Sequence, residues 1–125
     1  LYPIQQETYS ELIYGRGSYN PLNEHTGLDN TNATRVGQMW DAFYLTIRNA
    51  NLVIENAPKG KSISPADVAR YVGEARFLRA FTYFHLVRNW GPVPLRTEKN
   101  AAEPNITRTP VDQVYALIQE DLTFA

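Results

Sequence analysis

The 125-residue chain holds 12 basic and 13 acidic residues, is 43% hydrophobic and 20% charged, and contains no cysteine. This is the composition of a globular domain with a core rather than of a disordered segment. Its balanced charge gives no electrostatic case for nucleic acid or an anionic membrane surface, and the lack of cysteine excludes disulfides, thiol nucleophiles and cysteine-ligated metals.

No apolar run reaches the roughly 18 residues that suggest a membrane-spanning helix. Neither a signal peptide nor a lipidated cysteine is present. If the native protein is exported, the expectation is that this chain is a portion left after processing or trimming. The two histidines, His25 and His85, lie far apart with no metal-ligand spacing around either, and no cofactor is expected.

Residues 5 to 14, QQETYSELIY, have the pattern of a short helix that stops at Gly15 and Gly17. Residues 18 to 34 are rich in Asn, Gly, Thr and Pro and carry no apolar period. They read as a long irregular loop, a feature that is often functional in a compact domain. Four tyrosines, Tyr2, Tyr9, Tyr14 and Tyr19, fall in the first twenty residues. They serve either as covers for the core or as rings that stack on sugars or other flat ligands.

The second element spans 35–57. Val36, Trp40, Phe43, Tyr44, Ile47, Asn51 and Ile54 recur at helical spacing, and Pro58 and Gly60 end the run. Asn51 lies within that apolar stripe, where its amide needs hydrogen-bond partners. It reads as a clamp on a neighbouring loop or helix end, with ligand contact as the alternative.

The third element, 64–89, opens on Ser64-Pro65-Ala66-Asp67: a capping hydroxyl, a proline suited to the first helical position, and a carboxylate near the positive end of the dipole. Its interior is apolar nearly all round. Val68, Val72, Ala75, Thr82 and Leu86 share one side, Phe77, Ala80 and Phe84 the other, and Leu78 and Phe81 fill part of the gap. Such a helix belongs in the middle of a structure, so further chain beyond the other two helices is expected to pack on it. Arg79 falls on the apolar side with Arg76 close by, and a buried guanidinium needs anionic or carbonyl partners. Glu55, helix-end carbonyls and residues outside this chain are the candidates. Gly91 and Pro92 stop the helix, with Trp90 folded back over its end as an anchor.

Two prolines force 93–95 to be extended. Thr109-Pro110-Val111-Asp112 repeats the start signal of the third element, and a fourth segment, 110–124, is amphipathic through Val111, Val114, Tyr115, Leu117, Ile118 and Leu122. No stretch alternates with period two long enough to make a sheet. The fold class is all-α: antiparallel helix pairs of helical-repeat type behind a loop-rich part, residues 1–34.

At EARFLRAFTYFHLVRNWGPVPL, residues 74 to 95, the sequence resembles the signature helix of the SusD/RagB family. The matching positions are Ala75, Arg76, Arg79, Ala80, Phe81, Tyr83, Phe84, Trp90, Gly91 and Pro94. The upstream WDAFYLTIRNANLVIENA resembles the family's preceding helix through Trp40, Tyr44, Ile47, Asn49, Ala50, Asn51 and Ile54, and TPVDQVYALIQEDL resembles the next one. The resemblance, over about residues 36 to 124, implies an N-terminal portion of a larger helical domain whose helix pairs are similar to tetratricopeptide repeats. It further implies an exterior-facing outer-membrane lipoprotein, anchored by a lipid outside this chain. Such a protein binds an oligosaccharide or other nutrient and delivers it to a SusC-like TonB-dependent transporter.

The motif residues Trp40, Asn51, Arg76, Arg79, Trp90 and Gly91 are read as structural. Ligand contacts do not transfer with the resemblance. Chemistry alone nominates Tyr14, Tyr19, Asn20, Asn23, His25 and Asp29, because sugars need aromatic faces for C–H groups and planar amides or carboxylates for hydroxyls. The alternative function is a helical-repeat scaffold that grips a protein or peptide. No catalytic residue is expected: Glu55, Asp67 and Glu74 have ordinary helix-surface explanations, and no paired-carboxylate, Ser-His-Asp or phosphate-loop pattern is present.

Overall fold

A computed structural model describes residues 17–24, 26–27 and 29–125. The helix expected over residues 5 to 14 lies outside them. The chain divides into two compact units, Leu1–Ala42 and Phe43–Ala125.

In the first unit a single 3-10 turn, Gly17–Tyr19, leads into the short α1, Asn20–Asn23. The long helix α2 covers Asn30–Asn56, five residues ahead of the start that periodicity suggests. The loop expected over 18 to 34 is therefore shorter and partly helical. Asp29 explains the early start. Its Oδ1 accepts the Asn32 N–H at 2.7 Å, and its carbonyl accepts that of Ala33 at 2.8 Å. A capped first turn tolerates the polar Asn-Thr-Asn run that shows no apolar period.

In the second unit, α2 ends in a 3-10 turn, Ala57–Lys59, and the chain turns into α3, Pro65–Trp90. The Ser64 hydroxyl accepts the Asp67 N–H at 3.1 Å and donates to the Asp67 carboxylate at 2.8 Å, so cap and dipole act at one place. Ala50 and Ile54 of α2 form one core cluster with Val72 and Ala75 of α3. Farther along, Asn51 meets Arg79 and Phe43 meets Trp90. Numbers fall along one helix as they rise along the other, so the pair is antiparallel.

The exit from α3 is made by Gly91, at φ 67° and ψ −129°, whose N–H still reaches the Val87 carbonyl at 3.0 Å. A Cβ disfavours that backbone region. Two-residue strands follow, β1 (Val93–Pro94) and β2 (Arg108–Thr109), antiparallel with Val93 opposite Thr109. The last helix, α4, covers Val111–Phe124. Thr109 does not repeat the role of Ser64: Pro110 holds the cap position and makes no side-chain cap bond, because the Thr109 backbone belongs to the ladder. Val114, Leu117, Ile118 and Asp121 are the buried residues of α4. Ala125 lies beside Gly73 and Asp121 beside Arg79, so α4 runs antiparallel along α3.

The helix-pair, all-α architecture stands as read from the sequence. The face of α3 bearing Phe77, Leu78 and Phe81 is open, each residue being about half exposed at 49%, 50% and 53%. Phe81 instead meets its helical neighbours, stacking with Phe77 at 6.2 Å and edge-on to His85 at 4.5 Å. Among the described residues, no helix is long and apolar enough to cross a membrane.

Candidate functional site

The chemistry of the second unit is organised around one guanidinium. Arg79 is 1% exposed. Its Nε and Nη2 donate to the two carboxylate oxygens of Asp121 on α4, at 2.7 and 2.8 Å. Its Nη1 donates to Asn51 Oδ1 on α2 at 2.7 Å and to Glu98 on the β1–β2 connection at 2.6 Å. A planar fork with five donors is the side chain that fits such an arrangement. Burial alone lowers the Arg79 pKa, but the carboxylates of Asp121 and Glu98 outweigh it and leave it above its ordinary value. Burial pushes the Glu98 carboxyl up, and Arg79 more than reverses this, leaving it below its ordinary value.

Glu55, a partner suggested for Arg79, instead pairs with Lys59 at 2.8 Å on the exposed side of α2. Arg76 lies beside the same aspartate at 3.4 Å and over the Phe124 ring at 4.3 Å.

Three side chains then pin the connection that follows α3. The Tyr83 hydroxyl donates to the Arg96 carbonyl at 2.8 Å and accepts the Arg96 N–H at 2.7 Å. Asn51 Nδ2 donates to the same carbonyl at 3.2 Å, so its amide bridges Arg79 and the loop. Tyr44 donates to the Pro94 carbonyl at 2.7 Å. Burial raises the pKa of both tyrosines well above the ordinary range, which keeps the hydroxyls protonated as donors. The Arg96 guanidinium turns outward and donates to the carbonyls of Glu103 and Pro104.

Between α2 and this pinned loop lies a cleft of about 440 Å³. Tyr44, Arg48, Asn51 and Glu55 form one wall, and Arg96, Thr97 and Glu103 the other. Sequence reasoning took Tyr44 as a member of an apolar stripe and Asn51 as a clamp on a neighbouring loop or helix end, and missed the cleft. The usable signal was the spacing 44, 48, 51, 55, which places four hydrogen-bonding side chains on one helical face.

The residues nominated for ligand contact fall in the first unit. Tyr14 and His25 lie outside the described residues. Asn20 opens α1, its carbonyl accepting the Glu24 N–H at 2.9 Å, and Asn23 closes the same helix. Asp29 caps α2. The Tyr19 ring sits 4.0 Å beneath the Arg35 guanidinium, which donates to Asn32 Oδ1 at 2.8 Å. Tyr19 and Asp29 are thus linked through Arg35 and Asn32. Trp40 is half-buried on α2, and Trp90 meets Phe43 edge-on at 6.1 Å.

Antiparallel helices stapled by the buried Arg79, with a clamped polar loop beside them, make a helical frame. The chain belongs to the SusD-like family described as starch-binding and associating with the outer membrane, whose model matches residues 3–125. It is 28% identical to SusD-like protein P25 of Formosa agariphila over 98% of this chain and 23% of that protein. A crystal structure of a SusD superfamily protein from Parabacteroides distasonis is similar with a TM-score of 0.72 at 26% identity, over 85% of this chain and 23% of that one. A crystal structure described as containing xylogluco-oligosaccharide is similar with a TM-score of 0.72 at 27% identity, over 90% of this chain and 22% of that one. The chain therefore spans less than a quarter of the length of these relatives.

Proposed function

We propose that the protein captures an oligosaccharide nutrient at the exterior face of the outer membrane, as a lipid-anchored protein, and passes it to a SusC-like TonB-dependent transporter without chemical change. Membership of a family described as starch-binding, over residues 3–125, carries this reading. Likeness to a chain solved with xylogluco-oligosaccharide supports the glycan class. In the first unit Tyr19 and Asn20 are the described side chains offered as ligand contacts. Asp29 is a weaker candidate, because one of its oxygens is occupied by the helix cap.

Affinity electrophoresis of the full-length protein through gels containing starch, xyloglucan or other polysaccharides tests the proposal. Retardation by at least one neutral glycan is the expected result. Migration unchanged by every glycan, together with capture of peptides, contradicts it. That outcome would favour the second reading, a peptide-gripping scaffold. The observation behind the second reading is an open groove of about 850 Å³ between α2 and α3, with Leu52, Val53, Tyr71 and Leu78 on its walls.

A further inference from the structure

The cleft between α2 and the β1–β2 connection is not among the ligand contacts read from the sequence, and it has the chemistry of a binding site. Two of its charged groups are uncommitted. The Arg48 guanidinium and the Glu103 carboxylate enter no ion pair and no side-chain hydrogen bond among the described residues, and they do not pair with each other. Both are exposed. Arg96 and Glu55 stand in the same walls but are engaged, Arg96 with backbone carbonyls and Glu55 with Lys59. Each wall carries one cation and one anion, so the cleft has no net charge to attract an ionic ligand.

The loop backbone is tied to α2 without any ligand. Asn51 and Tyr44 hold the loop to α2, and Asn51 is held in turn by the buried Arg79. Such preorganisation lowers the ordering cost of binding. The volume, about 440 Å³, lies in the range of small-molecule sites.

From these features we infer that the cleft is a subsite for a neutral sugar residue bearing vicinal hydroxyls, gripped between Arg48 and Glu103. A sugar hydroxyl both donates and accepts. A vicinal pair presents two acceptors to the parallel N–H groups of a guanidinium, or two donors to the two oxygens of a carboxylate. Leu52, 46% exposed at the edge of the cleft, offers apolar surface to the C–H face of the ring. The inference rests on the glycan reading above and adds a place and a chemical class to it.

Isothermal titration of the full-length protein with xylogluco-oligosaccharides, malto-oligosaccharides and a uronate-bearing oligosaccharide tests it. Three proteins are compared: the native protein, the double variant Arg48→Ala/Glu103→Ala, and Lys61→Ala as a surface control. The double variant should bind its best oligosaccharide at least about tenfold more weakly, with an unchanged melting temperature, while Lys61→Ala binds normally. Native-level affinity in the double variant overturns the subsite and leaves the glycan function standing. Absence of binding by the native protein overturns both. A preference for uronate-bearing over neutral oligosaccharides overturns the assignment to a neutral sugar.

Discussion

Arg79 joins three parts of the chain that are distant in sequence: Asn51 at its middle, Glu98 on a loop and Asp121 near its end. Removing the guanidinium leaves Asp121, which is fully buried, without its bidentate partner. Arg79→Ala should therefore cost about 3–5 kcal/mol of stability, whereas exposed Lys61→Ala should change it by less than about 0.5 kcal/mol. Chemical denaturation of the two variants separates them, and equal midpoints would contradict a buried hub.

Glu98 adds a pH dependence. Its folded pKa is depressed, so its contribution is complete above the ordinary glutamate value of about 4.3 and disappears as pH falls through the lower folded value. Denaturation midpoints of the native protein and Glu98→Gln should differ at pH 6 and converge as the pH drops below about 4. A gap that stays constant would mean that Glu98 is not ionised against Arg79. The position of Arg79 on an apolar face was legible in the sequence, but its partners were not. Asp121 had a signal, since it continues the Val114, Leu117, Ile118 stripe at helical spacing. Glu98 had none, because its approach depends on how the loop folds back.

The long elements were legible because burial on one face imposes a period. That period runs through α2, α3 and α4, and the Ser64 cap and Gly91 stop fall where the residue chemistry places them. The two misread stretches of the first unit share a cause. The first turn of α2 and the short α1 are polar, and a segment without a buried face carries no period. At the start of α4 the expected threonine cap is replaced by a strand pairing, a long-range contact invisible to local pattern. Gly91 gives the sharpest test at this scale. Its positive φ makes Gly91→Ala costly by about 1 kcal/mol or more, although nothing beyond its own chain neighbours lies within 4 Å of the new methyl position. Thermal unfolding measures it, and an unchanged melting temperature would show that the turn can relax.

For the molecule as a whole, the cleft was harder to read than the frame. The frame is written in apolar spacing. The cleft requires α2 and a loop some fifty residues away to meet, and that meeting depends on Tyr44, Tyr83 and Asn51 reaching backbone carbonyls. The open face of α3, with Phe77, Leu78 and Phe81, belongs to a chain that spans under a quarter of its relatives' length. The proposed function turns on capture without chemistry, a glycan bound and released intact. The most direct measurement titrates the full-length protein with xylogluco-oligosaccharide or malto-oligosaccharide and then chromatographs the recovered sugar. The account predicts saturable binding with the sugar returned at its original length. Absence of binding to any glycan, or recovery of shortened sugar, would contradict it.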